Sequence, residues 1–171
     1  MMKAKIVIVG ADPGAHASPA THIPLYPWPR GASGHKLRDI MGLSDGEYTT
    51  YTDRVNLMDG PTDWKTGRAE LRAAGLLRGG LLRDRVVVLL GSYVADAFRG
   101  ASATLKAHLD EPFSYVVLNS TASSLALPKI VGLAPHPSGR NHFYNDPENV
   151  EAARKFFAEM YRVAAGGRPR V

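Results

Sequence analysis

The sequence predicts a three-layer α/β/α sandwich in which helices cover both faces of a mostly parallel central sheet. Short, continuous apolar runs rich in β-branched residues recur along the chain, as is typical of strands buried on both faces. Helical patterns separate these runs, and strands that alternate with helices form parallel sheets. The 171 residues and 44% hydrophobic content suit a single core. We therefore expect one domain over residues 1–165, followed by a basic C-terminal tail over residues 166–171 that frays from it.

Each predicted strand is a short apolar run. The predicted strands cover residues 5–9, 54–57, 85–90, 113–118 and 129–133. Two of the helices between and after them carry sequence signals for their first residues. Ser44 and Glu47 have the spacing of a capping box, and Asp146 followed by Pro147 is typical of a cap and a first helical position. The predicted helices cover residues 34–41, 45–51, 63–77, 92–98 and 147–163.

Composition excludes several classes of protein. No apolar stretch approaches the roughly 18 residues of a membrane-spanning helix, and residues 1–5 lead directly into a strand, so we expect no signal peptide, no membrane and a cytoplasmic location. The absence of cysteine excludes disulfides, a thiol nucleophile and an iron-sulfur cluster. The six histidines lack the spacing of a metal site, so we expect neither metal nor cofactor. A net charge of +5 favours an anionic partner.

Ligands of open α/β sheets bind outside the carboxyl ends of the strands, so the residues that follow each apolar run are candidates for the site. These residues are Asp12, Asn56, Ser92 and His136. Together they offer a carboxylate, an amide, a hydroxyl and an imidazole, a set that suits recognition of a polar planar ligand and acid–base chemistry. Three of them have a simpler interpretation, since Asp12 is also a turn residue, Asn56 is also a strand-end cap and Ser92 is also a helix N-cap.

A phosphate-binding loop is a poor interpretation of the glycines after the first run. Residues 10–14 read Gly-Ala-Asp-Pro-Gly, which lacks the third glycine of a dinucleotide-binding motif and the Gly-Lys-Ser/Thr ending of a P-loop. Pro13 removes a backbone donor, and Asp12 adds negative charge where a phosphate would lie.

Two motifs carry a family resemblance. The Gly-Ala-Asp-Pro-Gly motif at residues 10–14 and the His-Pro-Ser-Gly-Arg-Asn motif at residues 136–141 flank an Asn-bearing strand and a strand ending Leu-Gly-Ser. In this order, the motifs resemble those of the uracil-DNA glycosylase superfamily over the whole chain. Residues 31–57 resemble the iron-sulfur branch most, although this chain has no cysteine to hold a cluster. Residues 136–141 look more like the single-strand-selective and mismatch-specific branches.

The resemblance implies a DNA N-glycosylase that hydrolyses the bond between sugar and base and leaves an abasic site. It assigns Asp12 to the attacking water and His136 to the departing base, where a hydrogen bond to the pyrimidine O2 stabilises developing negative charge. Asn56 would read the base edge beside Ala11. An aromatic of the Pro-rich loop would stack on the flipped base, and we favour Trp28 over Tyr26 from its position relative to the family's stacking residue.

The same resemblance predicts the residues that grip DNA. Ser92 and the His-Pro-Ser loop would contact the backbone, and Arg140 or an aromatic just beyond it would fill the gap left by the flipped base. The full set of predicted DNA-binding residues is Arg30, Lys36, Ser92, Ser138, Gly139, Arg140 and Asn141.

Several functions stay open from the sequence. The excised base is uracil or a related damaged pyrimidine, which we favour because Asn56 is present, or a bulkier modified phage pyrimidine, in which case the protein would act in anti-phage defence. A nucleoside or nucleotide hydrolase of the same fold and a binding module without turnover are the alternatives from other classes. A pure binder needs neither Asp12 nor His136. We expect a monomer.

Overall fold

The computed structural model describes residues 5–11, 23–60, 64–118 and 127–170. Its strands are β1 (Ile6–Gly10), β2 (Thr52–Asn56), β3 (Val86–Leu90), β4 (Tyr115–Val117) and β5 (Ile130–Ala134). Its helices are α1 (Ser33–Met41), α2 (Asp45–Tyr51), α3 (Thr66–Arg78), α4 (Ser92–Ala101), α5 (Ala103–His108) and α6 (Pro147–Ala164), with a 3₁₀ helix at His142–Asn145.

The strands form one sheet in the order β2-β1-β3-β5-β4. The first four are parallel, and β4 pairs with β5 in the antiparallel direction at one edge. The prediction of a mostly parallel sheet is therefore confirmed, and each predicted strand lies within about two residues of an observed one. Helix α5 and the 3₁₀ helix were not predicted from the sequence, because both are too short to show the periodicity of an amphipathic helix.

Alternate residues of the strands build two cores, one on each face of the sheet. Val7, Val87 and Leu89 face the side covered by α3 and α4, whereas Ile6 and Ile8 face the side covered by α1, α2 and α6. A strand that is buried on both faces needs apolar residues at every position. Because successive side chains point to opposite faces, one continuous apolar run contributes to both cores. The three-layer prediction is thus confirmed.

Two predicted helix starts are confirmed by their hydrogen bonds. The Ser44 hydroxyl accepts from the Glu47 N–H at 3.3 Å, and the Glu47 carboxylate accepts from the Ser44 N–H at 2.9 Å, which completes the capping box of α2. At α6 the Asp146 carboxylate accepts from the Glu148 N–H at 2.9 Å, and Pro147 occupies the first turn. For α3 the predicted start at Asp63 lies outside the described residues, and the helix begins at Thr66.

The basic tail is docked rather than frayed. The Arg170 N–H donates to the Glu159 carboxylate at 3.2 Å, and the Tyr115 hydroxyl donates to the Arg170 carbonyl oxygen. Arg162 also hydrogen-bonds the Glu159 carboxylate, at 2.6 and 2.8 Å. The expectation of fraying is wrong. The polar composition of the tail does not reveal that the Glu159 carboxylate and the Tyr115 hydroxyl are hydrogen-bond partners for its backbone.

This docking predicts a loss of stability in acid. The hydrogen bonds from Arg162, together with the Arg170 N–H, lower the pKa of Glu159 to about 2 from its ordinary value of 4.5. A carboxyl whose pKa is lowered by folding stabilises the fold above its unfolded pKa, so this contribution should disappear as pH falls from about 4.5 toward 2. We expect Glu159→Gln to cost roughly 1–3 kcal/mol at pH 7 and to flatten the decline in acid.

Urea unfolding at pH 7 and pH 3 measures this effect. Glu151→Gln is the matched control, because Glu151 lies on the same helix and its ion pair with Lys155 is long, at 3.8 Å. An unfolding free energy of Glu159→Gln that falls in acid as steeply as that of the native chain would contradict the prediction.

Candidate active site

The predicted site residues follow strands that are neighbours in the sheet. Since β2, β1, β3 and β5 are parallel and adjacent, their carboxyl ends lie at one edge. Asn56 ends β2, Ala11 follows β1, Ser92 follows β3 and His136 follows β5 by two residues. The structure brings these four residues to one edge as predicted. Asp12 lies outside the described residues, directly after Ala11.

Asn56 lies against the end of β1. Gly10 and Asn56 are paired in the parallel register, and a Cβ atom built on Gly10 would lie 3.2 Å from the Asn56 Oδ1. The two strands continue to pair beyond their ends, because the Gly10 and Ala11 carbonyls accept from the N–H groups of Leu57 and Met58, each at 2.8 Å. The glycine at position 10 therefore leaves the space that the Asn56 amide occupies.

His136 lies against the end of β3. A Cβ atom built on Gly91 would lie only 3.0 Å from the His136 Cβ, and Gly91 has a φ of +85°, which disfavours any other residue. The Gly91 N–H donates to the Ala134 carbonyl at 2.9 Å, which joins the two strand ends. Gly91 is also the N-cap of α4, so the alternative of Ser92 as an N-cap is wrong. The exposed Ser92 begins the helix instead.

The loop after His136 is held by its own side chains. The Asn141 amide donates from Nδ2 to the His136 carbonyl at 2.9 Å and accepts at Oδ1 from the Phe143 N–H at 3.0 Å. The Tyr144 hydroxyl donates to the Pro135 carbonyl at 2.9 Å, and burial raises the pKa of Tyr144, which keeps this donor protonated. From the sequence, Asn141 and Tyr144 were predicted only as parts of a loop that grips DNA; nothing in the motif reveals that both side chains support the backbone beside His136.

The predicted DNA-binding residues of α1 and of the His-Pro-Ser loop meet in space. The Lys36 Nζ lies 3.4 Å from the position of a Cβ atom on Gly139, so an ammonium group from α1 lies over the loop. Ser138 is half-buried, whereas Arg140 and Arg30 are exposed. Lys36 and Arg140 therefore form a positive rim at the loop that follows His136.

The Pro-rich loop is seated on α1 through one glycine. A Cβ atom at Gly34 would overlap the carbonyl oxygens of Leu25 and Tyr26, so the loop backbone touches the helix backbone. The Tyr48 hydroxyl donates to the Leu25 carbonyl at 3.0 Å. The Leu25 Cδ1 in turn lies 3.4 Å from a Cβ position on Gly10, which places the start of the loop beside the Asn56 end of the site.

Trp28 projects from this loop with 51% of its surface exposed. Its ring packs edge-on against His35 of α1, with ring centroids 6.1 Å apart. His35 Nε2 lies 3.0 Å from the Arg38 guanidinium and His35 Nδ1 lies 3.3 Å from the Asp39 carboxylate, so both ring nitrogens have a partner on α1. Sequence analysis missed His35 as a support for Trp28, although the i, i+4 spacing of His35 and Asp39 on a helix was a usable signal.

The match to a known protein family covers almost the whole chain. The sequence profile of the uracil DNA glycosylase superfamily matches residues 1–163. The chain belongs to the uracil DNA glycosylase superfamily. It is a member without cysteine. No curated protein matches the sequence. Membership in the uracil DNA glycosylase superfamily supports a glycosylase-type function, with DNA as the substrate.

A depression at the opposite edge of the sheet does not compete with this site. It measures about 330 Å³ and lies at the amino ends of the strands. Three of its charged groups pair with one another, because Asp53 accepts from Lys5 at 3.3 Å and from Arg85 at 2.5 Å. Within the described residues, no helix is long and apolar enough to cross a membrane, and no group of three or more metal-ligating side chains is present.

The contact of Gly91 with His136 predicts a strong effect of a single methyl group. Gly91→Ala should displace His136 and slow base release by about tenfold or more, because a displacement of the imidazole by about 1 Å is costly in catalysis. Single-turnover base release, measured beside the melting temperature, tests this.

Gly80→Ala is the matched control for Gly91→Ala. Gly80 has a similar φ of +80° but no atom within 4 Å of a Cβ position. Its alanine variant therefore also places a side chain at a positive φ but lacks the contact with His136. Equal rates of base release in the two variants would contradict the role of that contact.

Proposed function

We propose that this protein is a monofunctional DNA glycosylase that hydrolyses the N-glycosidic bond of a flipped-out uracil, or a related damaged pyrimidine, and leaves an abasic site. The observation that carries the proposal is the convergence of Asn56 beside Gly10 and His136 beside Gly91 at one edge of the sheet. An amide that reads a base edge and an imidazole that stabilises the departing base are complementary parts of one reaction.

The strand order supports a pyrimidine-sized space between these two side chains. β2 and β5 are separated by β1 and β3, so the backbones of Asn56 and the end of β5 lie about 14 Å apart at about 4.8 Å per strand. Side chains that reach inward from both sides would leave room for one planar ring, and Ala11 follows the strand β1 that lies between them. In this pose His136 would donate to the pyrimidine O2, and Asn56 would contact N3 and O4.

Asp12 is proposed to orient the attacking water. It follows Ala11 directly, and β1 lies at the centre of the proposed pocket, between β2 and β3. A carboxylate in this position would accept a proton from water and offset positive charge on the sugar as the bond to the base breaks. The base leaves as an anion with the electrons of the glycosidic bond, and water supplies the hydroxyl group that remains on the sugar.

The aromatic wall of the pocket is proposed to come from the Pro-rich loop. Leu25 already packs against the Gly10 end of the site, and half of the Trp28 surface is exposed, as stacking on an extruded base would require. Tyr26 is half-buried between them. His35 would hold the Trp28 ring in place through their edge-on contact.

DNA is proposed to bind across the positive rim. Lys36 over Gly139, together with Arg30 and Arg140, supplies phosphate contacts, with Ser138 and Asn141 in the same loop. Ser92 offers a hydroxyl at the first turn of α4, where unpaired N–H groups favour a phosphate. The salt dependence of such binding separates this proposal from a hydrolase of free nucleosides, whose activity should change little with salt.

A panel of labelled oligonucleotides tests the function. Each carries one candidate base: uracil, hypoxanthine, a mismatched thymine, or a hydroxymethylated or glucosylated pyrimidine. We expect alkali-dependent strand breaks at uracil or a related damaged base, and no breaks without alkali because the enzyme is monofunctional. Breaks only at the bulky modified pyrimidines would redirect the proposal to phage DNA, and no break at any base would overturn it.

A further inference from the structure

An exposed aromatic pair lies outside the site described so far. The rings of Trp64 and Tyr93 are 5.5 Å apart between centroids and tilted by 54°. Tyr93 has 68% of its surface exposed, whereas Trp64 is half-buried and rests on the core beneath α3 and α4. The buried residues of α4 begin at Val94, so Tyr93 does not serve the core.

The pair shares an edge of the sheet with the proposed active site. Tyr93 is two residues beyond Gly91, which contacts His136. Trp64 precedes α3 on the segment that leaves Asn56, and this segment is tied to β1 where the Met58 N–H donates to the Ala11 carbonyl at 2.8 Å. The aromatic surface therefore continues the rim of the site on the side of α3 and α4.

Charge around the pair favours a nucleic acid over a basic or apolar partner. Lys65 and Arg68 are exposed beside Trp64. The nearby carboxylate of Asp59 is engaged by Arg72, and the carboxylate of Asp96 is engaged by Arg99 at 2.7 Å. Exposed rings flanked by cations are the combination that binds single strands, because every base has a face on which to stack and every nucleotide has a phosphate.

We propose that Trp64 and Tyr93 form a stacking platform for unpaired bases of the DNA strand that flanks the extruded nucleotide. This inference rests on the proposed glycosylase function and extends it to the substrate: DNA that is single-stranded, or locally opened, beside the target base. Bases of an intact duplex are stacked on one another, so the platform favours single strands over duplexes.

Trp64 fluorescence and DNA affinity test the platform. The chain has two tryptophans, so in the Trp28→Phe background Trp64 is the only one. Oligodeoxythymidylate, which holds no target base, should quench its emission. In the native chain, Tyr93→Ala should weaken binding of oligodeoxythymidylate roughly 5- to 30-fold and binding of the matching duplex less than about twofold, whereas Tyr93→Phe, which keeps the ring, should bind nearly as the native chain does.

Leu81→Ala is the control, because Leu81 is 50% exposed but lies between α3 and β3, at the amino end of the sheet. Unquenched Trp64 emission, or equal affinity of native and Tyr93→Ala proteins for oligodeoxythymidylate, would overturn the platform and favour a protein contact at this surface. An equal loss of single-strand and duplex binding would also overturn it. In each case base release by the native protein would preserve the proposed function, which fails only if no base is released.

Discussion

Replacing His136 with alanine should slow base release by roughly 10²- to 10⁴-fold and leave DNA binding nearly unchanged. The imidazole is proposed to act only as negative charge develops on the departing base, so its loss raises the barrier without removing ground-state contacts. Gly91 and Asn141 hold the backbone and Cβ of His136, and both remain in the variant. Single-turnover base release and equilibrium binding of an uncleaved oligonucleotide measure the two effects separately.

The leaving group distinguishes His136 from Asp12, the other proposed catalytic residue. Asp12→Asn should slow release by a similar factor, roughly 10²- to 10⁴-fold. A more acidic base, such as 5-fluorouracil, needs less stabilisation as it departs, so it should reduce the penalty of His136→Ala more than that of Asp12→Asn. Near-native rates in both variants would refute these roles even within the same family.

Adding one methyl group at Gly34 should damage both the fold and the site. A Cβ atom there would overlap the backbone carbonyls of Leu25 and Tyr26, and backbone atoms cannot rotate away as a side chain can. We expect Gly34→Ala to lower stability by about 1–3 kcal/mol, the usual cost of overpacking. The same shift would carry the Pro-rich loop away from Gly10, so affinity for substrate DNA should fall as well. Thermal unfolding and substrate titration measure these effects.

A second helical glycine supplies the control for Gly34→Ala. Gly75 lies within α3 with no atom within 4 Å of a Cβ position. Gly75→Ala should raise stability by about 0.5–1 kcal/mol through helix propensity alone and leave DNA binding unchanged. If Gly34→Ala and Gly75→Ala both raised stability, that result would contradict the close contact between the Pro-rich loop and Gly34.

The elements that were predictable carry a local signal. Strands β1, β3 and β5 are continuous apolar runs because both of their faces are buried, and the caps of α2 and α6 are hydrogen bonds between residues close in sequence. Helix α5 has a local cap as well, since the Ser102 hydroxyl accepts from the Leu105 N–H at 3.4 Å, but its six residues are too few to show a period. The docked tail was missed because its partner Glu159 is distant from Arg170 along the chain.

The site was predictable to a lesser extent. The strand-end rule located Asn56 and His136, since Asn56 ends β2 and His136 follows β5 by two residues. The contacts that hold them come from other elements: Gly91 beside His136, Lys36 over Gly139, and Leu25 against Gly10. Sequence analysis gave no signal for the pairing of Trp64 with Tyr93, which joins the start of α3 to the start of α4.

The sequence by itself determined the layers of the fold, the ends of most strands and helices, and the two motifs that identify the family, because each depends on neighbours within a few residues. Only the tertiary structure decided which strands are adjacent and which side chains meet at their ends. The strand order and the close approaches at Gly34 and Gly91 depend on how segments distant in sequence pack together in the core. A sequence pattern over a few neighbouring residues holds no information about that packing.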